Sequence, residues 1–419
     1  FEDGATNVQV SGSGPARYWT ATPDGRYAYY TEEGELWRFD TDEGSREALA
    51  GPGSAVLGVI GVNQVRHDEG EPDGNYLYFV AEGIPLATNE VENGNGPEEA
   101  EEGRPNLYLI HDGVTSFIAT LSPQDDAVKV DEPFIGGDWK GALGLRTAAV
   151  SPDGRNLVFE SGRPLTGYAN SSAQVPTPVR EAFVYSAADG RLVCASCQPS
   201  GLSPSVSELE RGEPRLPVSL ASSTYIHRWM SADGNRVFFD SEQPLSPLDT
   251  NGIQDVYEWE RQGEGGCTSA DASPFNDGCV FLLSGGDSPG YSFLIDADEE
   301  GDNVFLEHLG PLGQVKAPPG SNELYDLRVG GGFEEAASAA CSGEGCRGPL
   351  ASPPSVKSAG TAGFQANEPS PPVKCKKGKV KKKGKCVAKK SHTKKHHKKS
   401  NKKKGKKQRP ANSNHGVGK

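Results

Sequence analysis

The sequence predicts an all-β chain: a β-propeller of four-stranded antiparallel blades followed by a disordered Lys-rich tail. Three observations predict it. A turn theme recurs, as Thr22-Pro23-Asp24-Gly25, Glu71-Pro72-Asp73-Gly74, Ser151-Pro152-Asp153-Gly154 and Ser231-Ala232-Asp233-Gly234, with a degenerate fifth copy at Asp298-Glu299-Glu300-Gly301. Each copy is followed by a short aromatic or β-branched run: Tyr27-Ala28-Tyr29-Tyr30, Tyr76-Leu77-Tyr78-Phe79, Leu157-Val158-Phe159, Val237-Phe238-Phe239 and Val304-Phe305-Leu306. A second run trails each hairpin, at Leu36–Phe39, Leu107–Ile110, Phe183–Tyr185, Val256–Trp259 and Leu324–Leu327. Self-similarity of this kind marks a repeat architecture.

The elements follow in order. Proline pre-sets φ for the first corner of a turn, Asp bonds its own backbone, and Gly takes positive φ without a Cβ clash. The runs on either side then pair as a hairpin. A Pro-Leu step recurs before the third strand, at Pro85-Leu86, Pro164-Leu165, Pro244-Leu245 and Pro311-Leu312. Strand, Asp-Gly turn, strand, variable loop, strand and short outer strand make one four-stranded blade, the unit of a propeller. The blades are expected near 15–50, 55–120, 145–200, 225–285 and 290–333. The acidic insert 89–104 and the Ser/Pro-rich stretch 169–180 read as the variable loops. Ala55 to Val62 reads as a buried strand.

Ring closure stays open. The fifth copy shows no clear outer strand after Leu327. Asn7-Val8-Gln9-Val10 either fills that blade and clasps the ring, or ends an upstream blade. Phe1 is not an initiator and the single Met is Met230. The chain therefore reads as processed or as a piece of a longer protein, and the five copies as a whole ring or part of a larger one.

The Ser-Pro-Asp-Gly-x-x-Leu-x-Phe pattern at 151–159 resembles the WD-repeat-like repeats of TolB-type propellers. The stretch Leu324 to Phe333 and the Lys-rich tail look like uncharacterised secreted propellers of high-GC Gram-positive bacteria. The resemblance covers roughly residues 18–390. It implies a fold more than an activity, because propellers host many functions, and it carries no catalytic residue over to this chain.

Residues 334–373, rich in Ala, Ser, Pro and Gly, read as a linker, and 374–419 as a disordered polybasic tail. The formal charge of −14 conceals two opposite parts. Of the 43 Lys and Arg, 21 lie in 371–419 with no acid among them, so the remainder carries 22 basic residues against all 57 acids, a net of −35. Acid on the body favours solubility. The tail suits a polyanion, held through Lys376, Lys377, Lys381, Lys382, Lys383, Lys402, Lys403 and Lys404 with strong salt dependence. Nucleic acid, an anionic cell-wall polymer and an acidic lipid surface all qualify. No apolar run reaches membrane-spanning length.

The eight cysteines fall in close pairs: Cys194 with Cys197, Cys267 with Cys279, Cys341 with Cys346, and Cys375 with Cys386. That spacing suits local disulfides in an oxidising compartment. Zinc is the rival at Cys194-x-x-Cys197, but no second Cys-x-x-Cys stands where a ribbon needs one.

Two stretches invite chemistry. Gly286-Asp287-Ser288-Pro289-Gly290 matches a serine-hydrolase pattern, yet Pro289 lacks the N–H that an oxyanion hole draws on there. It reads as a loop before the strand Tyr291–Ile295. Asp249, Asn251 and Asp255 place oxygens at spaced positions around a Gly turn, a calcium candidate, although the same residues also make an ordinary Asn-Gly turn. His67, His111, His227 and His308 read as packed or surface histidines. His392, His396 and His397 stand among lysines that repel a cation.

The sequence thus reads as an extracytoplasmic binding or scaffold protein. A propeller face would take an unknown protein, glycan or small molecule, and the tail would retain the protein on anionic envelope polymer. No cofactor is expected, calcium excepted. The alternatives are a propeller-fold lyase or hydrolase, and a nucleic-acid binder led by the tail.

Overall fold

The computed structural model describes residues 7–63, 75–126, 137–139, 146–173, 175–205, 227–312, 318, 320–329, 377, 379–382 and 385–388. The chain divides into two compact units, Phe1–Glu334 and Glu335–Lys419.

The first unit is a β-propeller of consecutive antiparallel sheets. Blade 1 is β1 (Ala16–Ala21), β2 (Tyr27–Glu32), β3 (Glu35–Asp40) and β4 (Ser45–Ala50). Blade 2 is β5 (Val56–Asn63) and β6 (Tyr76–Ala81), a small hairpin of β7 (Val91–Glu92) with β8 (Pro97–Glu98) in the acidic insert, then β9 (Asn106–His111) and β10 (Val114–Thr120). Its sheet runs β10-β9-β6-β5. Blade 3 is β11 (Ala149–Val150), β12 (Asn156–Ser161), β13 (Glu181–Ser186) and β14 (Arg191–Cys194). Blade 4 is β15 (Arg236–Ser241), β16 (Asp255–Arg261) and β17 (Gly278–Leu282), with a bridge from Met230 to Val237 at its inner edge. Blade 5 is β18 (Ser292–Ala297), β19 (Asn303–Leu309) and β20 (Asn322–Arg328). Among the described residues the helical content is one 3-10 turn at Pro123–Asp126, and no helix is long and apolar enough to cross a membrane.

The recurring tetrapeptide folds the same way in its first, third and fourth copies. In blade 3 the Ser151 hydroxyl donates to Asp153 Oδ1 at 2.6 Å and accepts the Asn156 N–H at 2.9 Å, while Asp153 Oδ1 accepts the Arg155 N–H at 3.0 Å. Thr22, Asp24, Arg26 and Tyr27 repeat this set in blade 1. Ser231, Asp233, Asn235 and Arg236 repeat it in blade 4. Gly25, Gly154 and Gly234 all sit at positive φ, between +70° and +81°, which a Cβ would penalise. In the fifth copy Asp298 replaces the hydroxyl residue, and its carboxylate accepts the Asp302 N–H at 2.8 Å. The second copy, 71–74, lies outside the described residues.

These turns also fasten one blade to the next. Tyr78 of blade 2 donates its hydroxyl to the Gly154 carbonyl at 2.9 Å. Asn156 of blade 3 donates to the Asp233 carbonyl at 3.0 Å. Arg236 of blade 4 donates to the Gly301 carbonyl at 3.0 Å. Each time, the strand that follows the turn of one blade reaches the turn of its successor. The Pro-Leu step has a comparable role inside the blade. Leu165 and Leu245 are buried, and the N–H groups of Leu86 and Leu312 donate to the hydroxyls of Tyr108 and Tyr325 on the third strand.

The core lies between blades. Trp19, Tyr29 and Leu36 pack on Val59, Phe79 and Tyr108. Tyr78, Leu109 and Trp139 pack on Phe159 and Phe183. Val158, Val184 and Trp229 pack on Phe238 and Trp259, and through them on Leu294 and Leu306. Among the described residues no such cluster joins blade 5 to blade 1. Tyr18 and Leu324, 65% and 67% exposed, stand on the sheet faces turned away from the shared cores.

The N-terminal segment differs from one sequence expectation. Asn7–Val10 forms no strand in blade 5. It lies on blade 1, where the Val10 carbonyl accepts the Tyr30 hydroxyl at 3.1 Å and the N–H groups of Gly12 and Gly14 donate to the Glu32 carboxylate. A buried carboxylate needing donors captures the segment locally. In the second unit, β21 (Lys379–Lys382) pairs antiparallel with β22 (Lys385–Ala388), setting Lys381 opposite Cys386.

Candidate functional site

A half-open cavity of about 370 Å³ lies against the inner strands of blades 1 to 3. It is lined by the ends of β1, β5 and β11, the 227–230 segment of blade 4, and Glu299 from the turn of blade 5. Asn63 holds two of these walls together, donating to the carbonyls of Val150 and Ser151. Arg146, only 6% exposed, donates to the Ile60 carbonyl at 2.6 Å. Burial, with a smaller contribution from the nearby Arg17 charge, pushes its guanidinium down to about 10. It remains a cation at neutral pH. Arg228 on the same wall is paired with Asp296 at 3.1 Å, and the His227 ring faces the Ile295 carbonyl. The lining is mostly apolar, and Arg146 is a buried cation at its wall. Nothing in the linear pattern points to Arg146, which precedes the Ser151-Pro152-Asp153-Gly154 turn of its blade.

A second polar cluster joins blades 4 and 5 at the opposite ends of their strands. It brings together residues that the sequence presented separately. Asp249 accepts the Tyr257 hydroxyl and is buried. Burial, opposed in part by that bond, raises its carboxyl. Asn251 Oδ1 accepts the Ile253 N–H at 2.9 Å, which fixes the amide so that its nitrogen faces Asp255 Oδ2 at 2.8 Å and the Ser288 carbonyl at 3.0 Å. Asp255, fully buried, also accepts the Ser284 hydroxyl. The three expected calcium ligands are thus neighbours, but Asn251 presents N–H rather than oxygen to Asp255. Ser288 and His308 enter the same cluster: the His308 ring bonds Ser288 through Nε2 and Ser292 through Nδ1, both at 2.9 Å. Burial holds the His308 imidazole below its ordinary value.

Two of the four cysteine pairs are disulfides, Cys194–Cys197 and Cys267–Cys279. A buried amide connects them. Asn276, inside the second loop, donates to the carbonyls of Cys194 and Cys197 at 3.1 and 2.6 Å. Among the described residues one set, Glu181 with Cys194 and Cys197, has metal-ligand proximity, and there the sulfurs are already bonded to each other. Cys341, Cys346 and Cys375 lie outside the described residues, as do Lys376, Lys383 and Lys402–Lys404. Lys381 and Lys382 end β21. His111 stacks on Tyr76 with ring centroids 3.8 Å apart. His67 lies outside the described residues.

No family model and no curated protein matches the chain. Solved propellers are similar at low identity. TolB from Acinetobacter baumannii is 14% identical over 71% of this chain and 52% of its own, with a TM-score of 0.25; the chain spans about half of that protein's length. A putative TolB from Agrobacterium tumefaciens is 14% identical over 76% and 83%, with a TM-score of 0.29. Oligogalacturonate lyase from Vibrio parahaemolyticus is 10% identical over 74% of each chain, with a TM-score of 0.23.

Proposed function

We propose that this propeller is an extracytoplasmic binding protein whose inner cavity takes a small anionic ligand and whose polybasic tail holds it on an anionic envelope polymer. The carrying observation is Arg146, a buried cation at the wall of a cavity lined by several blades. A carboxylate or phosphate entering the cavity would add a charge-assisted hydrogen bond there. The disulfides support an oxidising compartment. The run of tail lysines supports retention, because Lys-rich segments without acids bind polyanions electrostatically.

The test of the cavity is melting of the protein with a panel of small carboxylates, phosphates and sulfonates, run in parallel on Arg146→Met. Stabilisation by one class that the variant loses supports the reading. A panel that stabilises neither protein, or both equally, removes it. The tail is tested by co-sedimentation with cell envelopes across a salt series, comparing the whole chain with a chain ending at Glu368. Retention that needs the tail and disappears with salt supports the proposal; equal retention transfers envelope recognition to the propeller. Calcium at the Asp249–Asp255 loop is tested by melting with calcium and with EGTA. Binding there would have to turn the Asn251 amide away from Asp255.

A further inference from the structure

Ser288 belongs to a loop that the proposed cavity does not use. It is partly exposed, while His308 is fully buried. The register of β18 with β19 sets Ser292 directly opposite His308. That pairing places one serine hydroxyl at each nitrogen of the imidazole. Ser292 Oγ lies a further 3.4 Å from Asp255 Oδ1. One assignment of protons suits the set: Ser292 donates to Asp255, His308 Nδ1–H donates to Ser292, and the bare Nε2 accepts from Ser288. This is the tautomer that a nucleophilic serine requires of its base.

We propose that Ser288 is an activated nucleophile, with His308 as its general base and Ser292 and Asp255 as positioning residues, acting on small esters.

In the first step Ser288 Oγ bonds to the carbonyl carbon and its proton moves to His308 Nε2. That proton then passes to the departing alkoxide oxygen as the ester C–O bond breaks. Water repeats the sequence, releases the carboxylic acid and restores Ser288. The oxyanion has thin support. Pro289 supplies no N–H, and the Gly290 N–H lies 3.3 Å from Ser288 Oγ. Loss of one oxyanion donor typically slows acyl transfer about 10²–10³-fold. Both acylation and deacylation are therefore expected to be slow.

His308 also fixes a pH signature. Asp255 of β16 faces it through Ser292, the Tyr325 ring of β20 meets it edge-on at 6.3 Å, and Glu323 is its cross-strand neighbour. Burial outweighs the pull of Asp255, so the base stays neutral to lower pH than an exposed histidine.

The experiment is reaction of the whole protein with a fluorophosphonate probe, followed by intact mass and peptide mapping. The expected result is one label per chain, located at Ser288. Ser288→Ala should take none and melt with the wild type. His308→Gln should react about 100-fold more slowly. Ser292→Ala, which keeps the Ser288–His308 pair but frees Nδ1, should react about 10-fold more slowly and move the midpoint of the pH–rate curve, which in the wild type lies below that of a free imidazole. A nitrophenyl ester should be turned over slowly, and Ser288→Ala should abolish that turnover. Wild-type protein that resists the probe while folded, or labelling equal in Ser288→Ala, would overturn the assignment.

Discussion

The side-chain amide of Asn156, in blade 3, donates to the backbone carbonyl of Asp233, in the turn of blade 4, across 3.0 Å. Asn156 is 7% exposed, so water cannot readily replace it. Asn156→Ala leaves that carbonyl short of a donor and opens space beneath Gly234. We expect a loss of about 1–2 kcal/mol, read as a lower urea midpoint with an unchanged slope. An unchanged midpoint would mean that the blades are held by their apolar cores alone.

The turn glycines separate two causes of strain. A Cβ on Gly234 would come within 2.3 Å of Asn156 Cγ, whereas one on Gly25 meets nothing within 4 Å among the described residues. Both have positive φ. Gly25→Ala should therefore cost about 1 kcal/mol, the backbone penalty alone. Gly234→Ala should cost about 3 kcal/mol, because it also displaces a packed side chain. Equal costs in denaturant melts would contradict this.

Glu258 predicts a stability loss towards alkaline pH. Its carboxyl is buried, lies near Glu260 and is 3.7 Å from Arg236, and burial pushes it from 4.5 to about 7. A carboxyl raised on folding stabilises the protein below its unfolded value and loses that contribution as pH rises through its folded value. Asp125, pushed up to about 6 by burial, acts in the same direction. Between pH 4.5 and 7 stability should fall. Glu258→Gln should flatten that part of the curve, gaining on the order of 2–3 kcal/mol at pH 8 and little at pH 4. Asp24 and Asp233 are held below the ordinary carboxylate range by their turn hydroxyls. Their contribution is present above pH 3.8 and disappears as the pH drops further. A melting curve with no decline above pH 5 would count against the Glu258 assignment.

The two disulfides should couple. Cys267–Cys279 spans a sequence separation of 12, for which loop closure in the unfolded chain suggests about 3 kcal/mol. Removing it with Cys267→Ser and Cys279→Ser also loosens the loop that carries Asn276. Asn276→Ala in the intact protein should cost about 2 kcal/mol through lost bonds to buried carbonyls. The two changes together should cost less than their sum, and a strictly additive double variant would show Asn276 to be independent of its loop.

What the sequence disclosed was local. Thr22, Ser151 and Ser231 bond within five residues of themselves, so the turns and the strands they start were legible from composition and spacing. So were Cys194–Cys197 and Cys267–Cys279, which close short loops. Contacts made by strand pairing were not. Ser288 looked inert because its neighbour is Pro289, and His308 looked like a packed histidine. Ser292 and His308, 16 positions apart, are joined by a hairpin, and nothing in the linear pattern reports its register. Arg146 was hidden for a related reason: its burial comes from contact with another blade, where it bonds the Ile60 carbonyl. The place of Asn7–Val10 stayed open because what ties the segment to blade 1 is backbone chemistry, the Val10 carbonyl on Tyr30 and the N–H groups of Gly12 and Gly14 on Glu32, which side-chain pattern does not report.

The passing of a hydrogen bond from each blade to the turn of the next has a direction. Tyr78, Asn156 and Arg236 all reach forward along the chain. Free energy in such an array accumulates by neighbour terms, as in a stack of coupled units. Among the described residues the middle blades share a core with a blade on each side, whereas Tyr18 and Leu324 on the first and fifth blades stand exposed. Opening should therefore begin at the two ends and move inward. The amides of β12 and β15 should exchange last in deuterium, those of β1 and β20 first. A cooperative ring would instead release every blade at one rate.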